Sequence, residues 1–168
     1  MKLKKLQMLT AALLMGATMS YGSSEVYLLG GSTDIGNGSL TTYGFGYGGS
    51  NKDVSKESQF LYGLNLEFFA ASTEMDSTEA GGNLLLKAGY RYKRISLYGL
   101  GGMVYDGYTG TTAIGFGYGA SVEVDLWRFD ASRKHIVLGT EYITASMSNA
   151  EDFSYTSDNL SAYLKYVW

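Results

Sequence analysis

After Gly22, apolar and polar positions alternate with a period of two, and the i, i+3, i+4 spacing of an amphipathic helix is absent. The longest run, Thr112 to Leu126, sets Ile114, Phe116, Tyr118, Val122, Val124 and Leu126 against Ala113, Gly115, Gly117, Gly119, Ser121, Glu123 and Asp125. The same alternation marks Thr41 to Gly48, Phe60 to Phe69, Leu84 to Lys93, Ile136 to Ile143 and Leu160 to Trp168. Two further runs are less regular. Glu25 to Ser32 is one, and Ile95 to Tyr105 is the other; its phase changes between Leu97 and Tyr98, which predicts a bulge or a locally small-lined face there. The total is eight strands.

The breaks between these runs alternate in kind. Longer segments lie near Thr33 to Ser39, Ser72 to Gly82, Asp106 to Gly110 and Ser148 to Asp158. The others lie near Gly49 to Glu57, at Lys93-Arg94 and from Arg128 to Lys134. Strands of about ten residues joined in this order suit an antiparallel up-and-down meander.

Composition sharpens the choice between a soluble and a lipid-embedded version. In a soluble barrel the polar face would be solvated and rich in Lys, Glu, Thr and Gln. Here it is mainly Gly, Ser and Ala, which suits a narrow lumen packed with side chains. The other face is Tyr, Phe, Leu and Val, and the chain carries 23 Gly and 15 Tyr in 168 residues. With no Cys, disulfides and thiolate chemistry are excluded, and a single His excludes a multi-histidine metal site.

The N-terminal stretch reads as an address. Lys2, Lys4 and Lys5 precede an apolar run from Leu6 to about Met19, and Ser20-Tyr21-Gly22 supplies a small-x-small cleavage pattern. Residues 1–22 are therefore expected to be a signal peptide and 23–168 a barrel domain. Removing the three lysines takes the formal net charge from -3 to -6, so the exported protein is acidic. An exported β chain that crosses a membrane must close into a barrel, because lipid offers its backbone no hydrogen-bond partners.

The charges follow the same division. The four longer segments hold Asp34, Glu74, Asp76, Glu79, Asp106, Glu151, Asp152 and Asp158, with no Lys or Arg. The other three hold Lys52, Lys56, Lys93, Arg94, Arg128, Arg133 and Lys134 against Asp53, Glu57 and Asp130, and Glu25 opens the first strand. Glu67, Lys87, Arg91, Glu123, Asp125, Glu141 and Lys165 all fall on the Gly-rich face, and no charge falls on the apolar one. A lipid-facing exterior requires this, since a Lys or Arg at the bilayer midplane costs about 2–4 kcal/mol. Tyr47, Phe60, Tyr92, Trp127, Phe129, Tyr166 and Trp168 gather beside the basic connections, as in an interfacial aromatic girdle.

The last strand, LSAYLKYVW, ends in Trp168 with Tyr166, Leu164 and Ala162 alternating before it. With this motif the chain resembles the small eight-stranded outer-membrane β-barrels of Gram-negative bacteria, similar to the OmpA-type transmembrane domain and the opacity-protein-like surface barrels. The resemblance implies an all-β, transmembrane, antiparallel up-and-down barrel in the cell outer membrane. It also implies that Leu164, Tyr166 and Trp168 are read by the barrel-assembly machinery. No peptidoglycan-binding domain is expected to follow, which departs from full-length OmpA-type proteins.

Seven inward charges in a narrow barrel are expected to pair, Glu67 with Lys87 or Arg91 and Glu141 with Lys165, because an orphaned buried charge costs several kcal/mol. Such a network specifies register and plugs the lumen. A small-solute or ion channel is the alternative, although open pores belong to barrels of about 16 strands and more. His135 is the one candidate general base and is expected at the polar rim; no Ser lies within two residues of it, so an enzyme such as a lipid hydrolase is disfavoured. Gly46 to Gly49 precede no helix N-terminus, which argues against a nucleotide site, and no cofactor is expected. Acidic outward loops argue against a nucleic-acid partner. The expected partners are outer-membrane lipids and the assembly machinery, around a monomer.

Overall fold

The computed structural model describes residues 22–35, 38–72, 78–107, 112–129, 134–149 and 154–168. The expected signal peptide lies outside the described residues but for Gly22, as do Glu74, Asp76, Asp130, Arg133, Glu151 and Asp152. Eight strands follow one another: β1 (Ser23–Asp34), β2 (Ser39–Ser50), β3 (Ser58–Ser72), β4 (Thr78–Tyr92), β5 (Ile95–Asp106), β6 (Ala113–Arg128), β7 (His135–Asn149) and β8 (Ser154–Val167). Each pairs antiparallel with the strand before and after it, and β1 pairs with β8 to close the barrel. The seam runs from Glu25 opposite Val167 to Asp34 opposite Asp158. Past its end Ser24 and Trp168 exchange two backbone hydrogen bonds of 2.9 and 3.0 Å. Closure leaves no sheet edge with unpaired backbone groups. The fold is the all-β up-and-down barrel that the alternation predicts.

Side chains divide by parity. Leu28, Phe45, Phe60, Leu86, Phe116 and Leu164 lie on the outer wall, with Phe60 79 % and Leu28 71 % exposed. Inside, one cluster joins Leu85, Leu100, Val104, Ile143, Ala145 and Met147, and a second joins Tyr27, Leu29, Phe69, Ala71 and Tyr163. The Gly and Tyr excess is partly a matter of register. Tyr27 stands opposite Gly46, and Tyr163 opposite Gly139, across neighbouring strands. A Cβ at Gly46 would lie 2.1 Å from Tyr27 Cζ, and one at Gly139 would lie 2.3 Å from the Tyr163 ring. Tyr27 and Tyr163 each lie across the inner face of a partner Gly, so at these two positions the narrow lumen admits a large ring because the facing residue lacks a side chain.

Two details differ from the sequence reading. β5 keeps one phase throughout, with Ser96, Tyr98, Leu100, Val104 and Asp106 inward and Ile95, Leu97, Met103 and Tyr105 outward. Of the two expectations for its phase change the bulge fails and the small-lined face holds: large residues point in while Gly99 and Gly101 face out, reversing the size rule of the other strands. The register shift falls instead in β6, between Asp125 and Trp127 opposite β7. There Leu126 and Trp127 are both exposed on the outer wall while Asp125 stays inside. The second difference is that the strands run further than expected at the acidic end. Asp34, Glu79, Asp106 and Asp158 belong to strands rather than loops. Asp106 is buried and accepts a hydrogen bond from the Tyr155 hydroxyl.

Candidate functional site

The strands direct acids and bases into the lumen, toward the end where the two termini meet. Glu25 of β1 accepts from Lys87 of β4 at 2.8 Å and lies 2.7 Å from Lys165 of β8. Lys165 also reaches Glu123 of β6 at 2.6 Å. Lys52, from the connection after β2, spans to Glu123 at 3.3 Å and to Asp125 at 2.7 Å. Asp125 in turn binds Arg91 at 2.9 Å, with Arg128 at 3.6 Å and His135 Nε2 at 3.8 Å. Acid and base therefore alternate through one connected path: Lys87, Glu25, Lys165, Glu123, Lys52, Asp125, Arg91.

Aromatic groups complete the coordination. The Tyr163 hydroxyl donates to Glu123 at 3.2 Å. Lys165 Nζ lies 4.8 Å from the Tyr27 ring and 4.9 Å from the Tyr163 ring, and Lys87 Nζ lies 5.3 Å from that of Tyr98. Cations held over aromatic faces gain electrostatic attraction that grows as water is removed. Arg91 also holds a loop in place, its Nη1 donating to the backbone carbonyls of Asp53 and Lys56 at 2.8 and 3.1 Å. The β2–β3 connection is thereby pinned to the barrel, and its Lys52 threads into the lumen.

All seven sequence-selected charges, Glu67, Lys87, Arg91, Glu123, Asp125, Glu141 and Lys165, point inward and are buried. Five of them join the connected path, but the expected partners differ. Glu67 accepts from the Tyr27 hydroxyl at 2.7 Å and from Asn83 Nδ2 at 2.8 Å instead of from a base. Glu141 Oε2 has no hydrogen-bond partner among the described residues, and Lys165 turns to Glu25 and Glu123. Register is the cause. Glu67 stands opposite Asn83, and Glu141 opposite Ser161. Lys87 and Lys165 each lie four residues further along their strands, about 13 Å away at strand rise.

Three members of the network are not among the selected charges. Glu25 looks like a strand-opening residue, yet its parity matches inward Tyr27 and Leu29. Lys52 looks like a loop lysine, yet it continues the inward series Gly46, Gly48, Ser50. His135, expected at the polar rim, does open β7 there, but it turns inward, is 1 % exposed and lies against Asp125, because it shares the parity of Val137 and Glu141. Of the residues read as an assembly signal, Leu164, Tyr166 and Trp168 all face outward, with the Tyr166 and Trp168 rings stacked at 5.8 Å.

Chemically, the site is a set of mutually neutralising charges. Among the described residues no group of three or more His, Asp or Glu side chains has the arrangement to hold a metal ion. Toward the acidic end, a cavity of about 10 Å³ lined by Thr33, Phe69, Asn83, Val104 and Asp106 has room for about one water. No protein-family model matches this chain, and no curated protein does so either.

Proposed function

We propose that this chain is an outer-membrane β-barrel protein with a structural, surface-exposed role, its lumen closed by salt bridges and its acidic end turned outward. The observation that carries the reading is the outer wall. A closed barrel presents Leu, Phe, Tyr, Val and Ile all round, while the lysines, arginines and acids of its strands' central stretches point inward. Monomeric soluble proteins rarely expose contiguous apolar patches beyond a few hundred Å². Strands of 12–16 residues exceed the 9–11 or so that a tilted transmembrane strand needs. Lipids of that membrane are the partners the wall fits, and outward Leu164, Tyr166 and Trp168 on the closing strand are the residues an assembly factor would meet.

The buried network supports a closed lumen over a channel, since Lys52 and Lys165 bridge strands on different sides of the barrel. The role is read as non-enzymatic, with His135 serving the network. Planar-bilayer recording tests the closed reading: the refolded protein should give no reproducible unitary conductance. A steady conductance that changes in Lys87→Gln or Glu123→Gln would replace it with a channel.

A further inference from the structure

The cations of the lumen all have carboxylate partners, and that makes another group conspicuous. At the termini end, Lys56, Glu57, Lys93, Arg94 and Arg128 line a concavity of about 270 Å³. Four cations meet one carboxylate there. Lys56, Lys93 and Arg94 form no ion pair with any described residue, and Arg128 reaches Asp125 only at 3.6 Å with its side chain 40 % exposed. We propose that this pocket binds the phosphate of an anionic phospholipid headgroup; the proposal rests on the membrane reading above.

The pocket is held in shape by the barrel. Its walls are the β2–β3 and β4–β5 connections, tied by a 2.6 Å hydrogen bond from the Lys93 amide to the Glu57 carbonyl. Arg91 anchors the first connection from below through the Asp53 and Lys56 carbonyls. Lys93 has φ 56°, a left-handed conformation that glycine adopts freely and that a side-chain-bearing residue seldom takes. The guanidinium and ammonium side chains that line this concavity carry the donors that phosphate oxygens accept from.

A lipid source is favoured over free phosphate by the surroundings. Lys93 Nζ lies 5.2 Å from the Tyr92 ring, and Arg128 sits between exposed Trp127 and Phe129. Aromatic rings of this kind settle at headgroup level. The pocket therefore opens beside the wall that the membrane reading covers with acyl chains.

The test uses the full barrel refolded into vesicles of equal parts phosphatidylglycerol and phosphatidylcholine, with retained lipid counted by native mass spectrometry. Wild type should retain phosphatidylglycerol about tenfold over phosphatidylcholine, and Lys56→Gln/Lys93→Gln/Arg94→Gln should fall to near parity. Should the triple variant misfold, Arg94→Gln alone, at an exposed turn, should lower the ratio measurably. Excess inorganic phosphate should leave the ratio unchanged; complete displacement would assign the pocket to free phosphate and overturn the lipid. No preference in wild type, or the same preference in the variants, would also overturn it. Heat-modifiable gel migration and protease protection are read in parallel: a protein that never inserts contradicts the membrane reading and this proposal with it, whereas insertion without enrichment contradicts the pocket alone.

Discussion

At the scale of single residues, the lumen is governed by which side chain faces which. Gly46 and Gly139 are opposite Tyr27 and Tyr163, and the rings fill the room that a Cβ would take. Gly46→Ala should therefore destabilise the barrel by about 1–3 kcal/mol through overpacking. Truncating Tyr27 to Leu in the same chain should recover part of that loss, a coupling that a double-mutant cycle in urea resolves; strictly additive effects would contradict the pairing. Asp125 is the other sensitive point, since Lys52 and Arg91 both depend on it in a buried setting. Asp125→Ala should cost about 3–5 kcal/mol by leaving those charges uncompensated. Glu67→Gln should cost no more than about 1.5 kcal/mol, because its partners are the neutral Tyr27 and Asn83. Equal losses at the two sites would argue against a charge-based network.

Parity made the inward direction of the seven strand charges readable from the sequence, and it would have found Glu25, Lys52 and His135 as well. What parity leaves out is axial position. Two inward residues on neighbouring strands meet only if the register aligns them, and register depends on how each connection is built. Lys165 thus bypasses its neighbour-strand candidate Glu141 and reaches Glu25 and Glu123, on β1 and β6.

At the scale of elements, the eight strands were legible because buried and exposed faces alternate with the pleat. The bulge was not. In β6 the extra residue falls within Leu126-Trp127, two apolar residues at a rim where both can be outward, so the hydropathy pattern carries no break. In β5 the pattern does carry a break, yet the backbone has none, because Gly99 and Gly101 occupy outward positions. Side-chain size is a weaker guide to facing than charge is. The β4–β5 hairpin gives a test of local strain: Lys93→Gly should raise stability by about 1 kcal/mol by releasing the left-handed lysine. The unfolding midpoint should rise with the denaturant slope unchanged. No gain would show that contacts of the lysine side chain offset the backbone cost.

For the whole molecule, the same wall has to satisfy two surroundings. Its inner surface holds a connected set of ion pairs near the termini and apolar packing elsewhere; its outer surface is apolar around the circumference, with basic residues at one end and acids at the other. Ion pairing of this extent supports a closed lumen, and the apolar exterior supports insertion. Because the chain has no Cys, single cysteines can be introduced along β6 and labelled with an environment-sensitive fluorophore. In vesicles containing brominated acyl chains, labels at Ile114, Phe116, Tyr118 and Val122 should be quenched, while cysteines at inward Ala113 and Ser121, facing a packed lumen, should resist labelling in the folded barrel and give no quenched signal. A period-two quenching pattern with outward positions high is the expected result; uniform quenching, the opposite phase, or none at all would contradict a lipid-embedded barrel.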